Sequence, residues 1–239
     1  MLHYHIRPYS LEQHLWQVRL CFQQSETETI SLSLPNWVPG SYMIREFARH
    51  IVAIEARGNG QPAQLVQSDK NTWQLAATPG EWTIEYHVYA FDLSVRGAWL
   101  TRERGFFDGA CVFLRHHQRQ HEPCTLNIDG LPADWDIATS LNAADATHTF
   151  QAASYADLID HPVEAGTLMR LPFSAGGIEH EIVISGHSGR FDAARLQHDV
   201  ARICAAQLAF FPAPAPFQRY VFLLHVGDNI YGGLEHRSS

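Results

Sequence analysis

The chain has 239 residues, 46% hydrophobic and 18% charged, with a net charge of −8, a composition that fits a folded chain of one domain, or one and part of another, and excludes a disordered or fibrous one. Its 17 Lys and Arg residues are scattered and outnumbered by 25 acids, so no surface that tracks a phosphate backbone is expected, and nucleic acid is excluded as a partner. The start, MLHYHIRPYSLEQ, lacks the basic flank and apolar run of a secretory leader, and the apolar stretch Tyr220 to Leu224 is far too short to span a bilayer, so no membrane association is expected.

From the first residues to about 187 the apolar pattern has period two. Trp16, Val18, Leu20 and Phe22 alternate with polar positions, and so do Ile84, Tyr86, Val88 and Ala90; each run predicts a half-buried strand. Turn signals separate the runs: RGNGQP at 57–62, TPGE at 78–81, DGLPAD at 129–134 and SAGG at 174–177. Many short strands between such turns predict an antiparallel β-sandwich over 1–187. Within it, LPNWVPGSYMIREFARHI (34–51) bends at Pro35, Pro39 and Gly40 and presents Trp37 and Tyr42. Such a loop either plugs the end of a sandwich or forms the wall of a cleft. Cys21, Cys111, Cys124 and Cys204 are far apart and unpaired by motif, which reads as free thiols in a reducing compartment, the cytosol by default.

After ISGHSGRFD the period becomes helical. Leu196, Val200, Ile203, Cys204 and Phe211 mark one buried stripe, with Asp192 in the first turn and Pro212 as the stop. A stiff FPAPAPF connector leads to RYVFLLHV (219–226), apolar nearly throughout, as a strand covered on both faces would be. Residues 188–239 therefore read as the start of a second, mixed α and β domain, too short to close a core unaided.

No complete active site is legible. HEPCT (121–125) and HEIVI (180–184) open like HExxH but lack the second His, and GHSGR (186–190) has Arg190 where a nucleophile elbow needs Gly. His116, His117, His121, Glu122 and Cys124 could ligate a metal, yet a polar loop explains them as well, and LIDHPVEAG (158–166) also reads as a loop. The closing YGGLEH is the most informative stretch. Gly232 and Gly233 have no Cβ and would admit an extended peptide along a strand, and Glu235 would offer one carboxylate to an ammonium group. A glycine-containing bulge with a surface Glu is the plainer alternative.

Taken together, LPNWVPGSYMIREFARHI, RGFFDGACVFL, YADLIDHPVEAG and GDNIYGGLEHRSS resemble the glycyl aminopeptidase family of zinc metallopeptidases, relatives of the aminopeptidase N and thermolysin-like enzymes. The resemblance implies an N-terminal β-sandwich followed by the truncated start of a thermolysin-like catalytic domain. The HExxH zinc helix would lie beyond residue 239, so zinc is expected in the intact enzyme and not in this piece, which would be inactive alone. It further implies that Gly232, Gly233, Leu234, Glu235 and His236 correspond to the GxMEN exopeptidase motif: Glu235 holds the substrate's free α-ammonium and the glycines hold its backbone. His236 stands where the relatives have Asn. Trp37, Tyr42, Phe107 and Asp108 are candidates for the cleft wall. The implied partners are peptide substrates with small N-terminal residues (Gly or Ala) and the rest of the catalytic domain. A peptide- or protein-binding sandwich without activity is the alternative.

Overall fold

The computed structural model describes residues 1–38, 40–186, 189–211 and 213–239. The bend expected at Pro39, the stop at Pro212, the His187–Ser188 part of GHSGR and the residues at the 187/188 boundary lie outside the described residues. Among the described residues, no helix is long and apolar enough to cross a membrane.

The chain is mainly β, and the expected sandwich is present. Its large sheet has eight strands, centred on Leu2–Ser10, Leu15–Gln24 and Gly80–Tyr89. The alternation seen in the sequence is real burial: Trp16, Val18, Leu20, Phe22, Ile84, Tyr86 and Val88 all face the core. The ladders are antiparallel with one exception in this sheet, Leu2–Ser10 running parallel to Cys124–Ile128. Two four-stranded sheets complete the sandwich, one through Arg104–Phe107 and Val163–Gly166, the other through Glu28–Ser33 and Thr72–Ala77. Asn59-Gly60 and Gly176-Gly177 each close a two-residue hairpin with both φ angles positive, the conformation that matches the twist of the flanking strands.

The stretch RGFFDGACVFL does not lie on a surface. Phe107 and Phe113 stack edge-on at 5.6 Å inside the core, and residues 109–114 are buried. Buried carbonyls need donors, and three tyrosine hydroxyls supply them: Tyr86 to Val112 at 2.7 Å, Tyr155 to Phe113 at 2.7 Å and Tyr4 to Leu114 at 2.8 Å. This internal crossing fixes the position of Asp108 at its start.

A separate three-stranded sheet contains Met169–Ala175, Ile178–Gly186 and Arg219–Val226, the last two parallel. The helix Ala193–Phe210 is capped by Asp192, which accepts from the Arg195 amide at 2.9 Å. The helix packs on this sheet through Cys204, with Leu196, Val200 and Leu208 half-buried. Two expectations are corrected here. Ile203 and Phe211 are each 61% exposed, because the row at positions 196, 200, 204 and 208 faces the sheet, position 203 points a quarter-turn away from it, and Phe211 lies just past the helix end. Arg219–Val226 is not covered on both faces either: Leu224 is 42% exposed and only Val221 is buried, since the helix packs chiefly over Met169–Ala175 at the other edge of this sheet.

Candidate substrate-binding ledge

After Val226 the chain runs back across one end of the sandwich without regular structure. The strand expected at Gly232–Glu235 is therefore not formed. No strand lies beside it to provide a ladder, and the backbone N–H groups of Gly232, Gly233, Leu234 and Glu235 have no acceptor among the described residues.

Side chains from distant loops hold the stretch in place instead. Leu234 is half-buried against the sandwich core. Arg96 donates from Nη2 to the Gly233 carbonyl at 3.2 Å. Asp160 accepts from the Arg237 amide at 3.3 Å, pairs with Arg237 Nε at 3.3 Å, and meets His236 Nδ1 at 3.4 Å. The Val221 amide donates to the Ser238 carbonyl at 3.0 Å, and the Tyr220 hydroxyl to that of Ser239 at 3.0 Å. Burial raises the Asp160 pKa, but the hydrogen bond from His236 and the nearby charges outweigh it and leave it below the usual carboxylate range.

Gly40 brings the first motif to the last. Its φ is +82°, and a Cβ there would stand 2.9 Å from Leu234 Cδ1 and 3.5 Å from Glu235 Oε1. A side chain at 40 would thus collide with the ledge. The loop 34–51 plugs the end of the sandwich, the first of the two roles its sequence allowed. Leu34, Val38, Phe47 and Ala48 are buried and plug the sandwich, while Trp37, Tyr42, Met43 and Ile44 are exposed. Tyr231 is fully exposed on the approach to the ledge.

The four expected contact residues differ in what they offer. Gly232 and Gly233 are exposed; a Cβ on Gly233 would meet nothing within 4 Å, and one on Gly232 only Val95 Cγ2 at 3.9 Å. Leu234 turns its side chain into the protein and anchors the ledge. Glu235 is exposed and makes no salt bridge among the described residues. Of the cleft-wall candidates, Trp37 and Tyr42 are open to solvent, but Phe107 and Asp108 are buried and wall no open cleft. Asp108 accepts from the Ala110 amide at 2.9 Å through Oδ1, and its Oδ2 has no partner among the described residues. Burial pushes its pKa up to about 6, opposed by the Ala110 hydrogen bond and by His236. The sequence reading missed Arg96 and Asp160 as the ledge's supports. Asp160 carried a signal, a loop acid next to His161, but no spacing rule links it to the far end of the chain.

Residues that could hold a zinc ion are not gathered among the described residues. Among the described residues no three His, Cys, Asp or Glu side chains converge. His116 is buried with both ring nitrogens unpartnered, His117 bonds Ser33 Oγ at 2.8 Å, Glu122 pairs with Arg119 at 2.8 Å, and Cys124 donates to the Ser154 carbonyl at 3.7 Å. His180 and Glu181 alternate along a strand and point to opposite faces. No zinc chemistry is derived from these residues.

Comparisons with known proteins point one way. A family model described as the Peptidase M61 N-terminal domain matches residues 3–167. The crystal structure of an aminopeptidase N family protein from Idiomarina loihiensis superposes with a TM-score of 0.94 at 41% identity, covering 100% of this chain and 41% of that one. An M1 zinc metallopeptidase from Deinococcus radiodurans gives a TM-score of 0.54 at 11% identity over 92% of this chain and 54% of its own, and its complex with a Tyr-Ser-Ala substrate gives 0.53 at 13%. These last two show the fold alone. The chain thus spans about two-fifths of the first of these structures and just over half of the second. No curated protein matches it.

Proposed function

The chain belongs to the Peptidase M61 N-terminal domain family, and on that premise we propose that it is the N-terminal part of a zinc-dependent aminopeptidase and supplies the surface that grips the substrate's free amine. The observation that carries this reading is the ledge itself. Two exposed glycines whose backbone N–H groups have no acceptor among the described residues lead into one exposed carboxylate with no salt-bridge partner among them, and the whole is fixed by Leu234, Arg96 and Asp160. An extended peptide accepts hydrogen bonds from such N–H groups. Its α-ammonium then meets Glu235, at a distance from the cut that fixes cleavage to one residue.

Zinc, when bound in the remainder of the enzyme, would polarise the scissile carbonyl and acidify its water. This chain's share of the reaction is to bind and orient. A preference for small first residues such as Gly or Ala is part of this proposal. The four free cysteines fit a reducing compartment such as the cytosol.

In the whole enzyme, Glu235→Gln keeps the shape of the side chain and removes its charge. A charge-assisted hydrogen bond is worth about 1.5–3 kcal/mol, so kcat/KM on unblocked peptides should fall roughly ten- to a hundredfold, with KM raised and kcat lowered. Wild-type kinetics in this variant would remove the amine anchor. A peptide-binding sandwich without activity would instead bind N-acetylated and free peptides alike.

A further inference from the structure

Away from the ledge, a cleft of 530 Å³ opens where the sandwich meets the three-stranded sheet, a size typical of small-molecule sites. One wall is apolar and aromatic. Leu11 and Leu93 line it together with His14 and Trp99, whose rings stack on Phe91 at 4.1 and 4.4 Å and are thereby held rigid. The opposite wall is polar and combines Arg104 and Thr167 of the sandwich side with Ser185 and His225 of the second sheet.

Arg104 is the unusual member. It is only 8% exposed. One edge of its guanidinium is held by Glu164, with Nε at 2.5 Å and Nη2 at 2.8 Å from the carboxylate oxygens. Nη1 lies off that edge, is buried, and has no hydrogen-bond partner among the described residues. A buried charged donor left unpaired is costly, and Arg104 is one of the residues that line the cleft, so an acceptor entering there would relieve it. Ser185 Oγ lies 2.9 Å from His225 Nδ1. Burial, and then the Arg104 charge, hold the His225 pKa down to about 4, so this imidazole is neutral near pH 7. At the mouth, Arg102 is paired with Glu12 at 2.5 Å and Glu103 is exposed, while on the inner wall Arg104 offers the guanidinium edge that Glu164 does not occupy.

We propose that this cleft binds a small carboxylate with an apolar or aromatic body. The carboxylate accepts from Arg104 Nη1 and from the Ser185 or Thr167 hydroxyl, and the body lies against Leu11, Leu93 and Trp99. Both halves of the chain contribute, so the ligand ties the second sheet to the sandwich. The proposal does not rest on the amine ledge.

The test is calorimetric titration of the full chain with N-acetylphenylalanine and with its amide, which lacks the carboxylate. The acid is expected to bind saturably at one site and the amide about tenfold or more weakly, as loss of a charge-assisted hydrogen bond predicts. Arg104→Lys keeps a cation for Glu164 but removes Nη1, and should weaken the acid by about tenfold. Thr167→Trp, at an exposed position, fills the cleft and should abolish binding without disturbing the core. The proposal is overturned if the folded wild type shows no saturable binding, if acid and amide bind equally, or if the variants bind like wild type. Should Arg104→Lys fail to fold, Thr167→Trp decides alone.

Discussion

His116 shows what a single side chain can do to the stability of the sandwich. It is fully buried beside Phe22, at 4.9 Å edge-on, with neither ring nitrogen partnered among the described residues. Burial, and then the Arg119 charge, lower its pKa to about 4 from an ordinary value of 6.5. The unfolded chain therefore takes up a proton that the folded one refuses. The stability this implies is fully present above pH 6.5 and is lost as pH falls towards 4, by up to about 3 kcal/mol. His116→Leu should flatten the fall in urea midpoint between pH 7.5 and 5, and an unchanged pH profile would show that His116 does not drive it. The Arg104–Glu164 pair makes a second residue-scale prediction. Both side chains are buried, so Glu164→Gln leaves an uncompensated guanidinium and should cost about 3–5 kcal/mol, read from the same denaturation curves. The sequence did not announce either residue. His116 looked like one of several ligand candidates in a polar loop, and Arg104 and Glu164 are 60 positions apart, a partnership that only the fold creates.

Among the elements, the loop 34–51 and the closing stretch were legible as motifs but not as neighbours. Their contact runs through Gly40, Leu234 and Glu235. Gly40→Ala should cost about 1–2 kcal/mol from the left-handed backbone alone and push Leu234 off its seat. Changed hydrogen exchange in 231–239 would report the second effect, and a neutral outcome in both measurements would show that the loop and the ledge are not coupled. Asp160→Asn removes the charge that holds Arg237 and His236. The prediction is faster exchange across 232–239 with the sandwich strands unaltered; unaltered exchange in the tail would mean that Leu234 and Arg96 suffice. The expected strand at 232–235 failed for a reason that sequence cannot supply: a strand needs a neighbour, and none of the described strands lies alongside. The helix forms where the period changes, with Asp192 as its N-cap and not in its first turn, and its buried stripe is narrower than expected, because apolar residues at 203 and 211 do not reveal whether anything packs on them.

Across the whole molecule, the period-two pattern carried most of the fold. It could not say which sheet a strand joins. Met169–Ala175 and Ile178–Gly186 alternate like the sandwich strands before them, yet they hydrogen-bond to each other and to Arg219–Val226, so the three-stranded sheet straddles the boundary drawn at 187/188. The parallel ladder between Leu2–Ser10 and Cys124–Ile128 was equally invisible, since pairing partners leave no local trace. What the molecule presents in the end is a rigid sandwich holding a short backbone ledge at one end and a cleft at its junction with a second sheet. The central claim is that the ledge reads a free amine through Glu235. The most direct test is the ratio of kcat/KM for one peptide with a free α-amine to that for the same peptide N-acetylated, in the whole enzyme with and without Glu235→Gln. The ratio should be large in the wild type and collapse by about ten- to a hundredfold in the variant; a ratio that the substitution leaves unchanged would contradict the account.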